Sequence, residues 1–176
     1  MKSLTRYSLF YILVLFLIPT ISFAQIVVTS TADSGPGTLR EAIETTAVGG
    51  ETITFNLPSA APHTITLSAQ IAIDVAMTIN GPGKENLTIS GGNNDRMFSI
   101  NSGGGTPDVA GITVVIRGVT FSDGTSVLQN SAGGAITSVE NLTLEDCEFS
   151  NNVSGNGGGA LSHIRGILII RRCEFL

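Results

Sequence analysis

Tryptophan is absent from this 176-residue chain, and tyrosine occurs only as Tyr7 and Tyr11. Sugar-binding grooves usually stack their ligand on such rings, so the rest of the chain is poorly equipped for one. Lysine is almost missing too: Lys2 and Lys84 are the only two. With a net charge of −5, that scarcity argues against nucleic acid and anionic membrane as partners. Two cysteines, Cys147 and Cys173, are too few for a disulfide framework. No apolar run after residue 18 could span a bilayer. Glycine, by contrast, is abundant at 21 residues, and charged residues are sparse. Many tight turns between short strands suit that composition better than a helical bundle does.

The first residues read as an export leader. Lys2 and Arg6 precede the apolar run Leu9–Ile18, Pro19 breaks it, and Ser22-Phe23-Ala24 supplies small residues for cleavage. No cysteine follows to accept a lipid anchor. The division expected is a leader over 1–24, an N-terminal strand and capping helix over 25–50, and coils over 51–176. The mature chain would begin near Gln25 with 152 residues and a charge of −7, Lys2 and Arg6 having left with the leader. That length suffices for one domain with a core of its own.

Past the leader, Ile26 and Val28 alternate with polar residues as in a first strand. Asp33-Ser-Gly-Pro-Gly37 is turn chemistry, and Thr38 with Glu41 three residues later is a capping box. Leu39, Ala42 and Ile43 fall on one helical stripe, which predicts a short amphipathic helix over 38–47. From Thr52 onward the chain is short apolar alternations separated by Gly, Pro, Asn and Asp.

Three of these segments align without gaps, beginning at Val114, Leu142 and Leu168. Gly133-Gly-Ala-Ile136 and Gly158-Gly-Ala-Leu161 lie between them, and Leu87-Thr-Ile89 is expected to open an earlier copy. A period in the mid-twenties without intervening helices predicts an all-β parallel solenoid, one coil per repeat. Inward columns are then Ile116-Leu144-Ile170, Val119-Cys147-Cys173 and Phe121-Phe149-Phe175. Alternation breaks between Glu145 and Asp146, as a bend within each coil requires. Phe175-Leu176 closes a strand motif with no capping segment after it, so further coils are expected beyond Leu176.

The arrangement resembles the right-handed parallel β-helix proteins of the pectate-lyase-like superfamily. Gly37-Thr-Leu-Arg-Glu-Ala42 is similar to the CSLREA segment of bacterial secreted and surface repeat proteins, with Gly-Thr in place of Cys-Ser. The GGA segments and Phe149-Ser-Asn-Asn152 resemble the GGAI and FxxN repeats of polymorphic outer-membrane proteins. The resemblance implies a secreted or surface-exposed, often adhesive, protein and carries over no catalytic residue.

Candidate sites were weighed against plainer roles. "SGNGGGA" lacks the Lys-Ser/Thr of a phosphate loop and reads as a turn. Asn151 and Asn152 suit stacking or left-handed turn positions. Arg117, Glu145 and Arg171 share an outward column and should pair across coils. Glu148 and Glu174 share another, the one candidate for a weakly held Ca²⁺, although solvent screening accounts for their proximity more simply. Cys147 and Cys173 share an inward column. Export permits a disulfide there, but a free buried pair is the simpler reading. Asp33, Asp74, Asp95, Asp108, Asp123 and Asp146 are scattered through turns, without the paired acids that glycosidic cleavage needs. His63 is expected in a loop and His163 in a turn. Asn86, Asn141 and Asn152 match the glycosylation pattern by chance in a sequence of bacterial character.

No catalytic, cofactor or firm metal site is therefore expected. The function predicted is a secreted or cell-surface β-helix module of structural or adhesin-like character. Its partners would be extracellular polysaccharide or host and cell-surface molecules. The alternative is the N-terminal part of a polysaccharide lyase or glycoside hydrolase acting on extracellular polysaccharide.

Overall fold

A strand only four residues long cannot bury its apolar side chains alone, so each must be covered by a neighbour of the same pattern. The computed structural model describes residues 24–103, 111–126 and 132–176. The leader expected over 1–24 lies outside them except for Ala24, as does Asp108. Strand β1 (Gln25–Val28) comes first, followed by the helix α1, formed by an α-turn Leu39–Glu41 and a π-turn Ala42–Thr46. The first coil is β2 (Glu51–Phe55), β3 (His63–Thr66) and β4 (Ile71–Ile73). The second is β5 (Met77–Asn80), β6 (Leu87–Ser90) and β7 (Phe98–Ile100). The third runs through β8 (Thr113–Arg117), β9 (Thr120–Ser122), β10 (Thr125–Ser126) and β11 (Ile136–Ser138). The fourth repeats it as β12 (Asn141–Glu145), β13 (Glu148–Ser150), β14 (Val153–Ser154) and β15 (Leu161–His163). The fifth begins with β16 (Leu168–Arg171) and β17 (Glu174–Phe175).

Every strand pairing is parallel. Equivalent strands of successive coils form sheets of six, five and four strands, with β10 and β14 as a two-stranded addition. The result is a parallel β-solenoid of about five turns. Its core is the set of inward columns. Ile53, Ile79, Ile116 and Leu144 stack in register and are fully buried, and Ile170 continues them. Phe121, Phe149 and Phe175 stack with ring centroids 5.1 and 4.8 Å apart, and Phe98 meets Phe121 edge-on at 5.6 Å.

The aligned copies from Val114 onward lie in register as the sequence requires, but Leu87-Thr-Ile89 does not open a copy. Met77 is the partner of Val114, while Leu87 pairs with His63 in another sheet. The reason is uneven spacing. Coil 2 turns its first corner with six residues, 81–86, where coil 3 uses only Gly118 and Val119. The step from Met77 to Val114 is consequently 37 residues, against 28 from Val114 to Leu142.

The two-residue corner requires a left-handed residue. Gly118, Asp146 and Arg172 occupy it, with φ of 61°, 53° and 50°. Gly118 is further constrained by the long connector of coil 2: an added Cβ would sit 3.0 Å from the Gly81 carbonyl oxygen. A later corner is turned by Asp123 and Asn151, with φ of 54° and 55°. The paired glycines have a packing cause. A Cβ on Gly134 would meet the carbonyl oxygens of Val153 and Gly159 at 2.4 and 2.5 Å.

Helix α1 covers the first coil. Leu39, Ala42 and Ile43 are buried within the same core cluster as β1 and β4, against which α1 packs. Its start is the expected capping box: Thr38 Oγ1 accepts from the Glu41 N–H at 3.2 Å, and Glu41 Oε2 accepts from the Gly37 N–H at 2.6 Å. Arg40 fastens the helix to the coil, donating to the Ala69 and Gln70 carbonyls at 2.6 and 3.2 Å and to Asp33 at 2.9 Å.

Candidate functional site

The outward faces carry the charged side chains, and the coil register decides which of them meet. On the six-stranded sheet Asn80, Arg117, Glu145 and Arg171 form one column. Glu145 accepts from Arg117 Nε at 2.6 Å and from Arg171 Nη1 at 2.9 Å, so one carboxylate ties three coils. The Arg117 hydrogen bond, then the Arg171 bond, holds the Glu145 carboxyl below its ordinary value. At the adjoining corner Arg172 donates to both oxygens of Asp146, at 2.6 and 2.8 Å. The expected pairing of opposite charges is thus present, and the corner adds a second pair.

Glu148 and Glu174 are direct neighbours, as their spacing indicates. Lys84 lies against both. Its ammonium hydrogen-bonds Glu174 and stands 3.8 Å from Glu148. The Lys84 backbone carbonyl accepts from Thr120 Oγ1 at 2.7 Å, in the same column as the two acids. A connector residue of coil 2 thereby reaches the acids of coils 4 and 5. The hydrogen bond with Glu174 raises the Lys84 pKa. The positive charge beside this pair is the chain's own.

Cys147 and Cys173 are both free thiols. Cys147 is fully buried, and burial pushes its pKa up to about 12. A thiol so firmly protonated is a poor nucleophile. The turn acids are occupied locally. Asp33 meets Arg40 and Ser68, Asp95 accepts from the Gln70 and Arg96 N–H groups, and Asp123 accepts from Ser90 and Ser122. Among the described residues no three His, Cys, Asp or Glu side chains come close enough to hold a metal ion, and no helix is long and apolar enough to cross a membrane.

Both histidines prove to be strand residues rather than loop or turn residues. His63 opens β3, and His163 ends β15 in register with Ser138. That register puts His163 in the column of Ile73, Ile100 and Ser138. Its Nε2 lies 3.2 Å from the Gly166 carbonyl oxygen, while Nδ1 is buried without a partner. Asn151 takes the left-handed position, and Asn152 makes the stacking bonds, to the Gly124 N–H and the Phe121 carbonyl. Asn141 accepts from the Ile167 N–H in the next coil.

No family model, curated protein or solved structure matches the chain. Its surface is therefore understood from geometry alone.

Two features escaped the sequence reading. Lys84 stands alone in a connector, and nothing local announces that its side chain reaches residues 64 and 90 positions away. Glu140 lies between Val139 and Asn141 like any solvated acid, yet it has no exposed surface. Burial pushes its pKa up, but hydrogen bonds from Ser102, Ile112 and Gly111 outweigh that and hold the carboxyl down to about 2.

Proposed function

We propose that the chain is an exported, cell-surface or secreted β-solenoid module with a structural or adhesive role and no catalysis of its own. One observation supports this most directly: the outward acids are bound to one another's counter-charges from coil to coil. Glu145 is held by two arginines, Asp146 by Arg172, and Glu148 and Glu174 by Lys84. A carboxylate serving as general acid or base must exchange protons with substrate, and a lowered pKa inside an arginine pair opposes that. The leader-like first 24 residues, and the likeness of Gly37–Ala42 to the opening segment of bacterial surface repeat proteins, support the location. The partners we infer are extracellular polysaccharide or cell-surface molecules.

The test uses the full chain with its leader in a bacterial host, followed by fractionation and N-terminal sequencing. Export with a new N-terminus near Gln25 is expected. The recovered protein should release no product from pectin or polygalacturonate with calcium present. Retention inside the cell with Met1 intact would overturn the location. Calcium-dependent release of unsaturated oligosaccharides, abolished by Asp146→Asn, would overturn the non-catalytic role.

A further inference from the structure

Glu140 joins β11 to β12 at the corner between coils 3 and 4, but its carboxylate serves the corner above it. Oε1 accepts from the Ser102 N–H at 3.0 Å and the Ser102 hydroxyl at 2.6 Å. Oε2 accepts from the Gly111 N–H at 2.7 Å and the Ile112 N–H at 3.1 Å. Its own N–H donates to Ser138 Oγ at 3.2 Å. These four donors to the carboxylate are uncharged, so the anion is held by hydrogen bonds and not by a counter-ion.

The two groups of donors stand on either side of one excursion of the chain. Between Ile100 of β7 and Thr113 of β8 there are 12 residues, 101–112, while the same corner one coil later takes two and the next takes four. The chain departs at Ser102 and returns at Gly111, and these points touch: a Cβ on Gly111 would lie 2.5 Å from Ser102 Oγ. Residues 104–110 between them lie outside the described set. Three backbone N–H groups at the neck, those of Ser102, Gly111 and Ile112, have no strand partner there and depend on Glu140. An unpaired amide in such a place is costly.

We propose that Glu140 is the positioning residue of an insertion port. It seals the neck at Ser102 and Gly111 against the solenoid, so that the chain emitted there can change in length and sequence while coils 2 and 3 remain stacked. Closing a flexible loop costs free energy that rises only with the logarithm of its length, provided that its ends are held. The carboxylate holds both ends from a coil outside the excursion, so the fastening is independent of what is inserted. The inference stands apart from the proposed surface role, since it concerns the scaffold and not a partner.

The experiment compares four full-length proteins: the parent, Glu140→Gln, a form with residues 104–110 replaced by a Gly/Ser segment about twice as long, and the combination. Amide hydrogen exchange at Ser102, Gly111 and Ile112 is read beside that at Val114 and Ile116 in β8. With Glu140 present, the longer form should melt within about 2 °C of the parent and keep its neck amides protected. Glu140→Gln should speed exchange at Gly111 and Ile112 by roughly tenfold or more, with Val114 and Ile116 little changed. Lengthening should then lower Tm further than it does with Glu140 present. Equal exchange at the neck with and without the carboxylate would overturn the proposal, as would an equal penalty for lengthening in both backgrounds. Should Glu140→Gln fail to fold, Ser102→Ala gives the same comparison at Gly111 with a smaller change.

Discussion

Phe149 shows what a single position in a ladder is worth. It is 1% exposed, with Phe121 stacked on one side and Phe175 on the other. Phe149→Ala should cost about 3–5 kcal/mol, much of the 5–15 kcal/mol that a domain commonly has. Phe175 is 49% exposed and should lose clearly less on truncation. Thr143, outward in the same coil, should be nearly silent when changed to Ala. Urea midpoints of the three variants measure this, and equal effects at 149 and 143 would refute the register. Glu140 gives a second test at this scale. Its folded pKa, about 2, is below its ordinary 4.5. Its contribution is therefore fully present above about pH 4.5 and is lost as pH falls toward 2. The loss should be at most about 3 kcal/mol, and less where solvent reaches the neck. Acid titration of stability should show a smaller decline over pH 4.5–2 in Glu140→Gln than in the parent.

At the scale of elements, the corners and the cap are what the sequence conveyed unevenly. The ladders from Val114 onward were legible because apolar residues recur there at a nearly constant interval. The break at Asp146 was legible because two outward residues follow one another. Coils 1 and 2 were not, because a six-residue connector and the long excursion at 101–112 disturb the interval, so Leu87 was matched to the wrong strand. Lys84 and Glu140 were illegible because their partners are distant in sequence and set only by stacking. The same connector that hid the early repeat makes a prediction at coil 3. Gly118 lies beneath it, whereas Asp146 at the equivalent corner is exposed. Gly118→Asp should cost about 2 kcal/mol or more, from left-handed strain plus the clash with Gly81. Asp146→Gly should stay within about 1 kcal/mol, since its ion pair is at the surface. Thermal melts of the two variants distinguish them. The helix start was legible in its capping box, but the part played by Arg40 was not, because the carbonyls it grips belong to residues 69 and 70.

For the whole molecule, each coil touches chiefly its neighbours, so stability accumulates along one axis. Replacing both Leu39 and Ile43 with Asp should uncover the first coil, and light scattering during a melt should record aggregation or early unfolding. A double mutant that melts as a monomer at the parent's temperature would remove α1 from its capping role.

The cover that α1 gives to one end also confers a direction on loss of structure. The first coil is shielded by Leu39 and Ile43, while at the far end Ile170, Phe175 and Leu176 are open to water. In this chain opening should begin at β16 and β17 and travel back toward β2, like a spring unwinding from its free end. Exchange rates along the Ile53, Ile79, Ile116, Leu144 and Ile170 column would record that order, fastest at Ile170.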